Sequence, residues 1–78
     1  MSVKERLIEK IAESLHISAA EISENSRFKE DLAADSIDMI EIIMSLENEY
    51  NINVDTDTLF EMRTVGEAVQ ELEKLINA

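Results

Sequence analysis

Seventy-eight residues suffice for one core, and a domain that small buries only about 60% of the surface its unfolded chain exposes, leaving little room for a deep catalytic cleft. The chain has no cysteine and a single histidine, His16, which excludes disulfides and thiolate metal sites and removes most nucleophile–base pairs and zinc sites. A formal net charge of −11 repels nucleic acid and anionic membrane and attracts basic protein surfaces. Charge of that size can mean disorder, but 45% of the residues are hydrophobic and they recur periodically, so a folded chain is expected. Met1-Ser2-Val3-Lys4-Glu5-Arg6 leads straight into an amphipathic pattern, so neither a secretory signal nor a membrane span is expected. The expectation is one domain over residues 1–78, monomeric and cytoplasmic.

In chain order, Val3, Leu7, Ile8, Ile11 and Leu15 repeat at three- and four-residue spacing and predict a first helix over about residues 3–15. Ser2 and Glu5 form its capping box, each side chain taking one N–H that the helix leaves unpaired. A long connection follows from His16 to Asp35. Structureless loops of this length are uncommon, so Ile17, Ile22, Phe28 and Leu32 are expected to pin it to the core, with one helical turn opening at Ser18. The second helix should span about Ser36 to Tyr50 and break at Asn51-Ile-Asn-Val-Asp55. Thr56 to Met62 reads as a short third helix. Thr64 and Glu67 box the start of a last one that carries Val65, Ala68, Val69, Leu72, Leu75 and Ile76 on one face. No strand alternation appears. The fold class is all-α: a small four-helix bundle of three longer helices and a short third, with a long first crossover.

The second helix has two apolar stripes where a core needs one. At roughly 100° per residue, Met39, Ile42, Ile43, Leu46 and Tyr50 share the larger stripe, which is assigned to the core. Ile37, Ile40 and Met44 form a second stripe on the opposite side, with Glu41 in its middle and Glu47 at its edge. A helix buried on both sides is one reading, but carboxylates are almost never buried unpaired. The other is a partner-docking strip, for which adaptable methionine is well suited. Every charged residue from Glu30 to Met62 is acidic: Glu30, Asp31, Asp35, Asp38, Glu41, Glu47, Glu49, Asp55, Asp57 and Glu61. A block of one sign around an apolar strip favours encounters with basic partners, less so in salt. At the head of this helix, Asp35-Ser36 reads locally as an N-cap. Carboxylates are the only candidate bases around it, so, the cap aside, Ser36 is better read as a modification acceptor than as a nucleophile.

The segment Asp31-Leu-Ala-Ala-Asp-Ser-Ile-Asp-Met-Ile-Glu41 resembles the acyl carrier protein signature, in which Asp-Ser-Leu opens the second helix. The length, the helix order, the acidic second helix and Thr64-Val65 extend the resemblance over essentially the whole chain. It implies a carrier and not an enzyme. Ser36 would hold 4′-phosphopantetheine, drawn from coenzyme A, and acyl groups would travel on it as thioesters. It implies docking of a phosphopantetheinyl transferase and fatty acid synthase enzymes, through basic patches, on Asp35, Ile37, Asp38, Ile40, Glu41, Met44 and Glu47. It also implies an acyl pocket, for which Met39, Ile43, Leu46, Leu59, Phe60, Met62 and Ala68 are the candidates, although ordinary core has the same composition. Four positions depart from the family pattern. Ala33 replaces a frequent glycine, so positive φ is not expected there. Ile37 replaces leucine and keeps the apolar contact. Asp55 replaces proline, which should loosen the start of the third helix, and Asn48 removes one acid from the rim. A carrier of specialised polyketide or aminoacyl synthesis would have the same serine. An unmodified acidic adaptor would use the same strip, with Ser36 only a cap. A divalent-cation sensor lacks its Asp-x-Asp-x-Asp-Gly loop, and no metal site is expected.

Overall fold

The computed structural model describes residues 2–78; Met1, with which the expected leaderless start opens, lies outside them. Among the described residues four helices form: α1, Val3–Leu15; α2, Ser36–Tyr50; α3, Thr56–Glu61; and α4, Val65–Ile76. A 3₁₀ turn, Ala19–Glu21, interrupts the crossover between α1 and α2 where Ser18 was expected to start one. Among the described residues there is no strand, only an isolated bridge between Arg27 and Thr64.

Local chemistry sets the helix ends. Ser2 Oγ accepts the Glu5 N–H and the Glu5 carboxylate accepts the Ser2 N–H, both at 3.1 Å. His16 stops α1 and Asn51 stops α2 in left-handed conformations, φ 59° and 55°, with their N–H groups donating to Ala12 and Glu47 carbonyls. Asparagine tolerates that region better than most residues, so the break expected at Asn51 has a local cause. The third helix stops one residue earlier than expected, and Met62 turns inward as its C-cap. Asp55 does not loosen the start of α3: its Oδ1 accepts the Thr58 N–H at 2.8 Å, a capping bond that holds the carboxyl below its ordinary pKa. A proline there would supply no such acceptor.

α1 packs on α2 and α4, and α2 on α3. Leu7 and Ile11 of α1 meet Ile42, Ile43 and Leu46 of α2 and Val65 and Leu72 of α4 in a fully buried centre. Each such aliphatic side chain contributes about 1.5–3 kcal/mol by leaving water. Leu75, expected on the inner face of α4, is instead 37% exposed. Ile22, Phe28 and Leu32 of the crossover are buried as expected, and Ala34 with them. Backbone bonds lace the crossover to the link between α3 and α4: Phe28 N–H to Arg63 O at 3.0 Å, Val65 N–H to Ser26 O at 3.0 Å, and Gly66 N–H to Glu24 O at 2.9 Å. A Cβ on Gly66 would lie 3.2 Å from that Glu24 oxygen, so glycine permits the approach.

Ala33 corrects an expectation. Its φ is 56°, inside the left-handed region that its side chain was expected to avoid. Leu32 and Ala34 are both buried, and Ala34 N–H donates to Phe28 O at 2.8 Å. The exposed residue between them must reverse the chain, and packing on either side overrides the local preference.

Candidate functional site

Asp35, not Ser36, caps α2. Asp35 Oδ1 accepts the Asp38 N–H at 2.9 Å, and Asp38 Oδ2 accepts the Asp35 N–H at 3.1 Å. A serine cap was plausible on local grounds, but the aspartate takes the role one residue earlier and completes a reciprocal box. Ser36 is therefore the first residue within the helix, exposed, and among the described residues its hydroxyl has no hydrogen-bond partner. It opens onto a cleft of about 420 Å³ between the crossover, α2 and α3. Phe28, Ala34, Met39, Leu59, Phe60 and Met62 supply its apolar lining; Lys29, Glu30, Asp35 and Arg63 stand with Ser36 as its polar lining.

The two stripes of α2 separate cleanly. Met39, Ile42, Ile43 and Leu46 are buried and Tyr50 is half-buried. On the other side Ile37 is 66% exposed and Met44 53%, with Ile40 and Glu41 also exposed. The acids of the expected rim divide by what they already hold. Asp35 and Asp38 are engaged with each other's backbone. Glu47 is half-buried and accepts the Val54 N–H at 2.7 Å, which fastens the α2–α3 link to α2. Glu49 faces α1, where Arg6 grips both its oxygens at 2.5 and 2.6 Å and holds the carboxyl below its ordinary pKa. Asp31 is likewise held low by Arg27. Among the described residues Glu41, Asp57 and Glu61 carry no side-chain hydrogen bond or ion pair, and only Glu30, Asp31 and Glu49 of the ten acids are paired with a cation, so most of the block's charge still reaches solvent.

Of the residues proposed for an acyl pocket, Met39, Leu59, Phe60 and Met62 line the cleft beside Ser36. Ile43, Leu46 and Ala68 do not; they are fully buried in the centre of the bundle. Phe60 is 54% exposed, a large aromatic left at the cleft. Phe28, Ala34, Lys29 and Arg63 were not foreseen as site residues. The two cations were legible only as the boundaries of the acidic block, since Lys29 and Arg63 immediately flank Glu30–Met62.

A family profile described as a phosphopantetheine attachment site matches residues 5–72. The chain belongs to the acyl carrier protein family. Relatives named acyl carrier protein include one from Chlamydia caviae, 41% identical over 69 residues, covering 88% of this chain and 90% of that protein. Another, from Sulfurovum sp., is 36% identical over 75 residues and covers 96% and 100%. A third, from Porphyromonas gingivalis, is 35% identical over 72 residues and covers 92% of each. Like the rest of the acyl carrier protein family, the chain is a carrier and not an enzyme, and its cofactor is covalent phosphopantetheine. The site fits such a group: an unengaged hydroxyl at an exposed helix start opens onto a cleft with an apolar floor and a polar lining that includes Lys29 and Arg63. Among the described residues, no helix is long and apolar enough to cross a membrane.

Proposed function

We propose that Ser36 is the attachment point of 4′-phosphopantetheine, and that residues 1–78 act as one cytoplasmic, monomeric carrier domain that presents acyl groups to fatty acid synthase enzymes. The observation that carries this reading is the free Ser36 hydroxyl at the start of α2, released from capping by Asp35, within the segment that matches the family. In the attachment step the Ser36 oxygen loses its proton and forms a phosphodiester, and coenzyme A gives up its adenosine 3′,5′-bisphosphate half. When bound, the arm supplies the thiol this cysteine-free chain lacks, so that acyl groups are held as thioesters. The chain's own residues do the rest. Asp35 and Asp38 hold the helix start in place. Ile37, Ile40 and Met44, with Glu41 among them, offer basic partners such as a phosphopantetheinyl transferase an apolar strip with a negative centre. Met39, Leu59, Phe60 and Met62 give an acyl chain an apolar surface beside the attachment point.

The test is intact mass after incubation with coenzyme A and a competent phosphopantetheinyl transferase. A gain of one phosphopantetheine is expected, and Ser36→Ala should gain none. An unchanged mass in the parent protein would leave an unmodified acidic adaptor as the better reading, and an unchanged gain in Ser36→Ala would move the attachment point to another residue.

A further inference from the structure

We infer that Lys29 and Arg63 form a cationic flank for the phosphodiester at Ser36, holding the inner end of the arm over the α2–α3 cleft instead of releasing it to solvent. The inference rests on Ser36 being the attachment point.

The starting observation is where the positive charge goes. The chain has seven lysines and arginines against 18 acids, so nearly every cation should find a carboxylate. Lys4 pairs with Glu24, Arg6 with Glu9 and Glu49, Arg27 with Glu30 and Asp31, and Lys74 with Glu71. Lys10, Lys29 and Arg63 pair with none among the described residues. Two of these three, Lys29 and Arg63, line the cleft onto which Ser36 opens.

They reach it from opposite ends of the acidic block. Lys29 lies on the crossover and Arg63 on the link between α3 and α4. The Phe28 N–H to Arg63 O bond at 3.0 Å and the Val65 N–H to Ser26 O bond at 3.0 Å fix the two segments side by side, so the meeting is built into the backbone. Of the acids at the same cleft, Glu30 pairs with Arg27 at 3.7 Å, while Asp35 caps the Asp38 N–H and keeps its charge. Among the described residues, the cleft holds two cations that are in no ion pair beside a hydroxyl that is in no hydrogen bond.

A phosphodiester on that hydroxyl adds one negative charge next to the capping box of Asp35 and Asp38. Without cations nearby the arm would be driven outward by repulsion. Arg63 offers a planar fork matched to phosphate oxygens and Lys29 a mobile point charge. The carbon skeleton that follows the phosphate then has a surface to cover, formed by Met39, Leu59 and the exposed ring of Phe60. Either contact alone is weak at an exposed site, a factor of roughly 1.5 to 5 in population. Together they change the seated population by on the order of tenfold.

The experiment uses the full chain, loaded enzymatically with an isotopically labelled arm. Intact mass is read first, then ³¹P shift, relaxation of the arm amides, and nuclear Overhauser contacts to Phe60 and Met39. The parent at low salt is expected to show a slowed arm with those contacts. Both should be lost in Lys29→Gln/Arg63→Gln, and in the parent at about 1 M salt, where the screening length is near 3 Å. The control Lys10→Gln/Lys74→Gln changes the net charge equally and should keep the seated arm. A loaded parent whose arm is as mobile as in the Lys29/Arg63 variant overturns the flank alone, as does a control that frees the arm equally. A parent that takes up no arm overturns the attachment at Ser36 and the flank with it.

Discussion

Replacing Ala33 by glycine should stabilise this protein. Ala33 sits at φ 56°, where an L side chain crowds the following carbonyl at a cost of about 1–2 kcal/mol. Glycine removes that crowding, but it also frees the unfolded chain by about 0.4–1 kcal/mol. The residue is exposed, so little packing is lost with its methyl group. The balance is a gain of roughly 0.5–1 kcal/mol, which in a domain of this size raises Tm by about 2–8 °C. Ala34→Gly is the matched control. Ala34 is buried at 2% exposure and does not have positive φ, so glycine there loses a packed methyl and gains only chain entropy. It should fall by about 1 kcal/mol. Urea and thermal unfolding followed by far-ultraviolet circular dichroism measure both. If Ala33→Gly melts at or below the parent, the turn before α2 carries no strain, and the account of packing overriding backbone preference there is wrong. If Ala33 and Ala34 respond alike, glycine is acting through the unfolded chain alone.

Glu67 accepts N–H donors from Arg63 and Thr64 at 2.9 and 3.0 Å, which hold its carboxyl below the unfolded value of 4.5. Its stabilising effect is therefore complete above pH 4.5 and is lost as pH falls through the lower folded value. Urea midpoints of the parent and Glu67→Gln should differ at neutral pH and converge in strong acid; a gap independent of pH would contradict this. Glu41→Lys and Met44→Ala alter exposed positions, so their stability should stay within about 0.5 kcal/mol of the parent. Their affinity for a phosphopantetheinyl transferase should nevertheless fall several-fold, and unchanged binding at low salt would move the interface away from the α2 strip. With a net charge of −11, modest salt or a divalent cation should raise Tm by screening self-repulsion, and a flat or falling response would show that the local pairings already neutralise it.

Much of the fold was legible in the residues because its signals are local. The boxes Ser2–Glu5 and Thr64–Glu67 set helix starts where they were expected, and the spacing of Leu7 and Ile11, or Val65 and Leu72, picked out core faces by periodicity alone. The two stripes of α2 also came from angular arithmetic, and only one of them is buried. Ile43, Leu46 and Ala68 show the limit of that reasoning. Composition does not separate a cleft wall from the centre of the bundle; what separates them is whether another helix lies on top.

The carrier signature around Ser36 was present in the sequence: an acidic run, a serine at a helix start, and a chain with no thiol of its own. Two features were settled only by long-range packing, and one by a local choice between adjacent caps. Burial of Leu32 and Ala34 forced Ala33 into the left-handed region. Closing the reciprocal box gave the cap to Asp35 and left Ser36 unengaged. Backbone bonds between the crossover and the α3–α4 link brought Lys29 and Arg63 to one cleft. Local patterns specify which residues form a helix and which face is apolar. Which side chains from distant segments share a site depends on how those helices close around one core, and no spacing rule along the chain encodes that.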